Sequence, residues 1–197
     1  MEPIILASSS PRRQEILKSL NIPFRVITSD IDESYPADMN ITEVPEYLAS
    51  RKVNAVVRTF NPDQNIPWIL GADTLVISGK SKALGKPENP DEAVKFLKLL
   101  SGKSHKVISG IALFNGALNY LSTRTSITKV KFKELTEEEI RWYVSTGEWH
   151  GAAGGYRIQG MASMFIEKIE GSYSGVVGLP IFDIYEILKE QGYSILQ

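Results

Sequence analysis

Two adjacent arginines near the N-terminus, Arg12 and Arg13, are the first residues along the sequence that could bind an anionic ligand. They follow an apolar run and a serine-rich turn that contains Ser8 and Ser10. Pro11 suits the first position of a helix, and the N-terminus of a helix favours an anion through its backbone N–H groups and its dipole. Guanidinium groups add paired hydrogen bonds to phosphate oxygens. The pattern predicts a phosphate site on a strand–turn–helix, although such a motif alone is also typical of a capped surface helix.

A single carboxylate, Asp73, interrupts a strand predicted over residues 68–77, whose other residues are almost all apolar. Burying a carboxylate is costly unless it is paired, hydrogen-bonded or metal-bound. An aspartate that caps a turn at a strand end is common, but three apolar residues continue past Thr74. Gly71 leaves room for another group to approach the backbone. Asp73 is therefore predicted to act as a general base for water, as a metal ligand, or as both.

Three further candidate groups lie on a predicted helix, a turn and an acidic loop. Lys52 shares the apolar face of a helix predicted over residues 42–60, so it either snorkels from the edge of that face or projects as a phosphate partner. Lys86 lies in a rigid Gly-Lys-Pro turn, which is weak evidence by itself. The run from Asp30 to Glu33 has the carboxylate density of a Mg²⁺ site, although acidic loops are usually only solvated.

A glycine-rich stretch over residues 151–160 contains the candidate for base recognition, Gln159. The amide of Gln159 both donates and accepts hydrogen bonds, which suits the reading of a base edge. Glycine-rich loops are often only connectors, and residues 171–175 are interpreted as a second loop of this kind. His105 is interpreted as a residue at the start of a strand rather than as a catalyst.

The elements that position these groups alternate between strands and helices along the chain. A hairpin with a two-residue turn at Asn115-Gly116 is predicted, and Thr42 and Thr136 are expected to cap helices. This alternation predicts an α/β domain with a mixed sheet. Strands are predicted over residues 3–7, 24–28, 68–77, 106–114, 117–132, 161–169 and 193–196, and helices over residues 11–20, 42–60, 90–100, 136–147 and 180–190.

Composition restricts the class of protein. The 197 residues include no cysteine, which excludes disulfides, cysteine nucleophiles and thiolate metal sites, and the two distant histidines argue against a zinc hydrolase. A formal net charge of -1 argues against a general nucleic-acid binder. No apolar run approaches the roughly 20 residues of a membrane span, and the N-terminus lacks the pattern of a signal peptide. We therefore expect a soluble, cytoplasmic protein that binds neither nucleic acid nor membranes.

Taken in order, these stretches resemble the Maf family, septum-formation-inhibitor-like proteins that are nucleoside triphosphate pyrophosphatases. The matches cover nearly the whole chain, and the ordered set is far more specific than any single member of it. The matching stretches are residues 6–13, 30–33, 51–52, 71–74, 85–87, 101–102, 153–160, 171–173 and 177–180.

The resemblance implies a fold, a reaction and a set of site residues. The implied fold is a single domain over residues 1–197, with a mixed sheet flanked by helices and two lobes around a deep cleft, related to the inosine triphosphate pyrophosphatases. The implied reaction is hydrolysis of a nucleoside triphosphate to the monophosphate and pyrophosphate, with a divalent cation (Mg²⁺ or Mn²⁺), by an enzyme that is frequently a homodimer. Asp73 corresponds to the catalytic base and, with Glu33, to the metal site. The residues assigned to substrate binding are Ser8, Ser10, Arg12, Arg13, Lys52, Thr74, Lys86 and Gln159.

Two of these positions, Thr74 and Gln159, separate subgroups of the family. Their pairing resembles the dTTP/UTP subgroup, whereas the 7-methyl-GTP subgroup tends to carry glutamate at the glutamine position. Hydrolysis of dTTP and UTP is therefore the main prediction. The alternatives are a pyrophosphatase for 7-methyl-GTP or other modified nucleotides, a nucleotide-binding regulator of cell division without turnover, and a phosphotransferase, for which no acceptor site is evident.

Overall fold

Strands and helices alternate in the computed structural model, which describes residues 1–28, 30–61, 64–79 and 82–195. The strands in these residues are β1 (Ile4–Leu6), β2 (Phe24–Val26), β3 (Ile69–Ser78), β4 (Lys82–Leu84), β5 (Ser104–Asn115), β6 (Tyr120–Phe132) and β7 (Ile166–Glu170). The helices are α1 (Pro11–Ser19), α2 (Val44–Val57), α3 (Pro90–Leu100), α4 (Glu137–Ser145), α5 (Tyr173–Val177) and α6 (Ile181–Glu190). Within the described residues, no helix is long and apolar enough to cross a membrane.

The strands form a mixed sheet in the order β2-β1-β3-β5-β6-β7, and β4 pairs with β3. Strand β1 is parallel to both β2 and β3, with Ile5 opposite Arg25 on one side and Ile69 on the other. The pairs β3–β4 and β6–β7 are antiparallel. Parallel neighbours need a crossover connection, and α1 and α2 lie in the two crossovers. The predicted α/β class with a mixed sheet is confirmed.

The chain divides into two compact units, each with its own apolar core. The division falls inside β3, between Asp73 and Thr74. Unit 1 consists of Met1–Asp73, Ser109–Ser126 and Gly178–Gln197, and unit 2 consists of Thr74–Ile108 and Ile127–Val177.

In unit 1, apolar side chains cover both faces of the strands. Ile4 and Leu6 of β1 join a cluster with residues of α1 and α6, whereas Ile5 joins a cluster with residues of α2. All three side chains are fully buried. Successive side chains of a strand point to opposite faces, so a strand that is covered on both faces must be apolar throughout. This explains the uninterrupted apolar run before the serine-rich turn.

In unit 2, α3 and α4 pack on a cluster that includes Leu97, Ile140 and Phe132. Each of these helices begins at a residue whose side chain caps it. The side chain of Asn89 accepts a hydrogen bond from the backbone N–H of Glu92 at 2.9 Å. Thr136 and Glu139 form a reciprocal capping box, as predicted for α4.

Two predictions near the ends of helices and strands were wrong. Thr42 does not cap α2, because its hydroxyl and its backbone N–H both donate to Asn40 Oδ1 in a separate turn. The hairpin turn is longer than the predicted two residues, because Asn115 still belongs to β5. Its side chain accepts from the backbone N–H of Leu118, and Asn119 takes the left-handed conformation with φ of 48°.

Three predictions in the C-terminal third also need correction. Residues 161–165 form a 3₁₀ helix, stabilised at its start by a hydrogen bond from Ser163 N to Gly160 O, so β7 is shorter than predicted. The second predicted glycine-rich loop contains helix α5, because Ser172 Oγ accepts from Gly175 N and closes a helical turn. Residues 193–195 of the predicted last strand form no strand, and residue 196 lies outside the described residues.

Candidate active site

Asp73 lies in the middle of β3 and not at its end. Its side chain is 15% exposed. Ile69, Gly71 and Asp73 alternate with Leu70 and Ala72 along the strand, so the first three share one face. Because Ile69 packs in the cluster formed with α2, Asp73 lies on the face that α2 covers.

Helix α2 approaches β3 closely because Gly71 has no side chain. A Cβ atom at Gly71 would lie 2.6 Å from Ala49 O and 2.6 Å from Val53 Cγ2. Lys52 follows Ala49 by three residues and therefore lies on the same side of the helix. The sequence predicts that Gly71 lets another group approach the backbone; the structure identifies that group as α2, which carries Lys52 to the strand.

The ammonium group of Lys52 joins two carboxylates. Its Nζ lies 2.6 Å from Asp73 Oδ1 and 2.8 Å from Glu33 Oε1. The side chain of Lys52 is 13% exposed, whereas that of Glu33 is 57% exposed. Of the two interpretations of Lys52, the structure favours projection into a polar site over snorkelling into solvent. Asp73 and Glu33, the predicted metal ligands, are brought together by this one cation.

The acidic loop is attached to α2 by a second contact. Arg51 Nη1 donates a hydrogen bond to Ser34 O at 3.0 Å. Ser34 in turn donates from its backbone N–H and its hydroxyl to the carboxylate of Asp32, and these hydrogen bonds lower the pKa of Asp32. The loop is therefore not only a solvated acidic run, because neighbouring residues of one helix hold Glu33 and Ser34.

Arg13 is the buried centre of the serine-rich turn. It is 8% exposed, and its Nε donates to Gly178 O at 2.9 Å while Nη1 donates to Ser8 Oγ at 2.9 Å. Ser8 Oγ also accepts from the backbone N–H of Ser10 at 3.3 Å. Burial lowers the pKa of Arg13, and the negative charge of Asp73 opposes this shift. Arg13 thus fixes the shape of the turn, a role that the sequence prediction of a phosphate contact did not include.

The first turn of α1 keeps a positive character. Residues 10–20 are all described, and within them the N-cap Ser10 makes no side-chain cap bond and the first turn carries no acidic residue. Arg12 is half-buried at the same helix end. The helix dipole and the neighbouring arginines together favour an anion at this turn.

The remaining predicted residues, Thr74, Lys86 and Gln159, belong to unit 2. Lys86 and Gln159 are both exposed. The turn that carries Lys86 is tied to the glycine-rich loop by a hydrogen bond from Gly154 N to Gly85 O at 2.9 Å. The structure therefore brings together, within unit 2, the turn of Lys86 and the loop of Gln159. Thr74 directly follows Asp73 in β3, so its side chain leaves the strand on the opposite face.

The sequence did not reveal how the glycine-rich loop is anchored. Tyr156 OH lies 2.7 Å from His105 Nε2, and both rings pack edge-on against Phe132. Burial lowers the pKa of His105 to about 4, so the imidazole is neutral near pH 7. The prediction that His105 lies at the start of a strand is confirmed, because it is the second residue of β5.

The carboxylates of Asp73 and Glu33 suit a divalent cation whose remaining ligands come from a bound phosphate and water. Among the described residues, no group of three or more His, Asp or Glu side chains is placed to hold a metal ion. Asp73 and Glu33 supply oxygen donors at one place, through their common contact with Lys52. Mg²⁺ typically takes one or two carboxylates and completes its shell with phosphate oxygens and water. The donor set therefore suits a metal bound together with a phosphate ligand rather than an all-protein cage.

Comparison with known proteins identifies close relatives over the full length. A family model described as Maf-like protein matches residues 3–191. The dTTP/UTP pyrophosphatase of Desulforamulus reducens is 46% identical over 198 residues, with 100% of both chains covered. The proteins of that name from Pelotomaculum thermopropionicum and Treponema denticola are 42% identical, again with 100% of both chains covered. Among solved structures, the Staphylococcus aureus Ham1 protein aligns with 66% of this chain and 72% of its own, at 13% identity and a TM-score of 0.46.

Proposed function

The chain belongs to the Maf-like protein family, and on this premise we propose that it hydrolyses dTTP and UTP to the monophosphate and pyrophosphate. Relatives that are 42% and 46% identical over the whole chain carry the name dTTP/UTP pyrophosphatase. The observation that carries the proposal is the Lys52 ammonium between Asp73 and Glu33. It places a strand carboxylate suited to hydrolysis beside a cation suited to a phosphate. The protein is thus a hydrolase acting on an acid anhydride.

The predicted phosphate-binding cations would offset much of the charge of the substrate. A nucleoside triphosphate carries about four negative charges, and fixed cations offset them without reorganising during the reaction. Arg12, Lys52 and the N-terminus of α1 supply positive charge in unit 1, and Lys86 is the candidate from unit 2. As the bond between the α- and β-phosphates breaks, charge grows on the departing pyrophosphate. Cations placed there stabilise the transition state more than the bound substrate.

Asp73 is the residue we assign to the attacking water. Lys52 holds Oδ1 of the carboxylate at 2.6 Å and so fixes the direction of the group. We assign Oδ2 to the water, which Asp73 orients or deprotonates. Positioning of this kind converts an attack from bulk solvent into one within a bound complex. Arg13 positions the serine-rich turn, and its contact with a phosphate stays a prediction.

Asp73 and Glu33 are also the residues proposed to hold a divalent cation, Mg²⁺ or Mn²⁺. When bound, such a cation neutralises phosphate charge and polarises the phosphoryl group. Lys52 contacts both carboxylates and offsets part of their charge. The same ammonium group of Lys52 is proposed to bind phosphate oxygens of the triphosphate.

Gln159 is proposed to distinguish the base. Thymine and uracil present an N3–H donor beside carbonyl acceptors, and a primary amide can pair with both kinds of group. A glutamate at this position would only accept, which suits the N1–H and N2–H donors of guanine. The glutamine therefore supports dTTP and UTP over 7-methyl-GTP as substrates. Thr74 remains a predicted subgroup position.

The experiment that tests this function is product analysis with a nucleotide panel. The purified protein is incubated with Mg²⁺ and dTTP, UTP, dCTP, dGTP or 7-methyl-GTP, and the monophosphate, pyrophosphate and orthophosphate are quantified. We expect equimolar pyrophosphate and monophosphate, with dTTP and UTP turned over fastest. A preference for 7-methyl-GTP would favour the other subgroup. Nucleotide binding without any pyrophosphate would favour a regulator that does not turn over.

Assembly and location are proposed by resemblance to the family. We expect a homodimer, which sedimentation velocity would detect as twice the 21.9 kDa chain mass. We also expect a cytoplasmic protein that does not bind nucleic acid, which cell fractionation and a filter-binding assay would test.

A further inference from the structure

Two backbone N–H groups, one on each side of Gln159, are held by a connected pair of side chains. Arg157 N donates to Tyr143 OH at 3.2 Å, and Met161 N donates to Glu148 Oε2 at 2.9 Å. Tyr143 OH donates to Glu148 Oε1 at 3.3 Å and so links the two anchors. The segment that carries Gln159 is therefore fixed two residues before and two residues after the glutamine. We call Tyr143 and Glu148, with these hydrogen bonds, the Tyr143–Glu148 clamp.

The Tyr143 side chain of this clamp is held rigidly by its packing. Tyr143 is fully buried on α4, and its ring packs edge-on against Phe165 with centroids 5.7 Å apart. Burial raises the pKa of Tyr143, so its phenol keeps the proton that it donates to Glu148. A buried aromatic side chain in a packed core has few alternative rotamers. The phenol oxygen of Tyr143 is therefore held in one position, where it accepts the hydrogen bond from Arg157 N.

Glu148 also packs directly against the residue after Gln159. A Cβ atom at Gly160 would lie 2.3 Å from Glu148 Oε1, so the carboxylate occupies the space that a side chain would need. Gly160 N donates to Arg157 O at 3.2 Å and closes the turn that contains Gln159. The backbone around Gln159 is thus fixed on three sides, while the Gln159 side chain itself is exposed.

From this arrangement we propose that Tyr143 and Glu148 are positioning residues for base selection, which orient the Gln159 amide by fixing the backbone of residues 157–161. The proposal rests on the proposed function, because it assumes that Gln159 reads the base. Ordering a loop during binding costs conformational entropy, and a loop that is ordered beforehand avoids this cost. The clamp therefore contributes to nucleotide affinity and selectivity and leaves the hydrolytic step of Asp73 unchanged.

The test compares Glu148→Ala, Glu148→Gln and Tyr143→Phe with the wild-type protein. Glu148→Ala removes the acceptor for Met161 N, and we expect KM for dTTP to rise about tenfold, equivalent to about 1.4 kcal/mol, while kcat changes less than twofold. Glu148→Gln retains an oxygen acceptor and should restore most of the loss. Tyr143→Phe should fall between them. Glu138→Ala removes an exposed acid from α4, the helix that carries Tyr143, and serves as the matched control for loss of a glutamate.

A double-mutant cycle with Gln159→Ala separates positioning from general stability. If Glu148 acts through Gln159, the loss of dTTP-over-dGTP selectivity in Glu148→Ala must disappear in the Gln159→Ala background. Equal effects in both backgrounds, or a lower kcat with unchanged KM, would overturn the proposal. Thermal unfolding of each variant shows that the protein is folded during the assay.

Calorimetric titration measures dTTP binding independently of hydrolysis. It therefore distinguishes failure of the positioning role from failure of the proposed function. A wild-type protein that binds dTTP but releases no pyrophosphate would contradict the proposed function alone. The positioning role would then be decided by whether Glu148→Ala weakens dTTP binding about tenfold, the same change that we expect in KM. A wild-type protein that binds no nucleotide would refute both.

Discussion

Replacing Asp73 with asparagine tests the assignment of this residue as the base. Asparagine has nearly the same size, and its amide oxygen can still accept from Lys52, whose Nζ lies 2.6 Å from Asp73 Oδ1. Lys52 also keeps its contact with Glu33 at 2.8 Å. The variant therefore removes one negative charge and the basic oxygen, and it leaves the packing between α2 and β3 intact.

The expected cost in stability is small. The substitution replaces an ion pair with a hydrogen bond from the same ammonium to a neutral amide, which loses about 1 kcal/mol. Relief from burying a carboxylate offsets part of this loss. For a chain of this size, about 1 kcal/mol lowers Tm by about 2–4 °C. The variant should be fully folded at 25 °C.

The expected cost in activity is much larger. General-base catalysis contributes about 10²–10⁴ in rate, which corresponds to about 2.7–5.4 kcal/mol in the activation barrier. Because the stability change is only about 1 kcal/mol, partial unfolding cannot produce such a loss. Binding of dTTP should survive within a few-fold or improve, because one negative charge near the phosphates has been removed.

The assay combines single-turnover pyrophosphate release with calorimetric binding of dTTP to the same preparation. Asp38→Asn, an exposed carboxylate of unit 1, is the matched control and should behave like the wild type. Full turnover in Asp73→Asn would refute the assignment of Asp73 as the base. Loss of binding together with activity would show instead that Asp73 assembles the site.

Three further substitutions test the packing and the burial described above. Gly71→Ala should lower the free energy of unfolding by about 1–3 kcal/mol and reduce activity, because a methyl group forces α2 away from β3; Gly85→Ala, with open space around it, is the control for unfolding by denaturant. Arg13→Lys should cost about 1–3 kcal/mol, because one ammonium cannot replace the two guanidinium nitrogens that donate to the buried Gly178 O and the half-buried Ser8 Oγ, whereas the exposed Arg25→Lys should be neutral. Between pH 7 and pH 4, wild type should lose about 3 kcal/mol relative to His105→Phe, since burial lowers the pKa of His105 to about 4 and only the unfolded state binds the proton in this range.

Each of these expectations has an outcome that contradicts it. A Gly71→Ala protein as stable and active as Gly85→Ala would show that α2 does not depend on the close approach. Equal denaturation midpoints for Arg13→Lys and Arg25→Lys would remove Arg13 as a structural centre of the turn. A difference between wild type and His105→Phe that stays constant with pH would show that His105 titrates normally.

Local patterns in the sequence predicted most of the elements. The apolar run of β1, the Pro11 start of α1 and the reciprocal pair Thr136–Glu139 depend on neighbours within a few residues, so they can be recognised without a tertiary structure. The prediction of a two-residue hairpin turn was wrong. The observed turn is two residues longer and ends at Asn119, whose left-handed conformation the Asn-Gly pattern does not indicate. The 3₁₀ helix before β7 was missed because its apolar residues also suit a strand.

The sequence marked the residues that meet at Lys52 as candidates, but it did not indicate the contacts between them. The sequence marks Asp73 as unusual, since a carboxylate within an apolar strand needs a partner. It left Lys52 between two interpretations, because helical periodicity shows the face of a residue and not its neighbour. The structure resolves this through the close approach at Gly71, which depends on packing between elements that lie about 20 residues apart. The Tyr143–Glu148 clamp had no signal in the sequence.

The sequence by itself identified the candidate residues for a site that hydrolyses a phosphate anhydride and the elements that hold them, namely the arginine turn, the strand of Asp73 and the loop of Gln159. These properties follow from residue type and local spacing. The tertiary structure alone decided that Arg13 is used to fix the turn, and that Lys52 joins Asp73 to Glu33. Partners of a buried polar group are set by whichever backbone or side chain the packing brings within about 3 Å, and this depends on the whole fold.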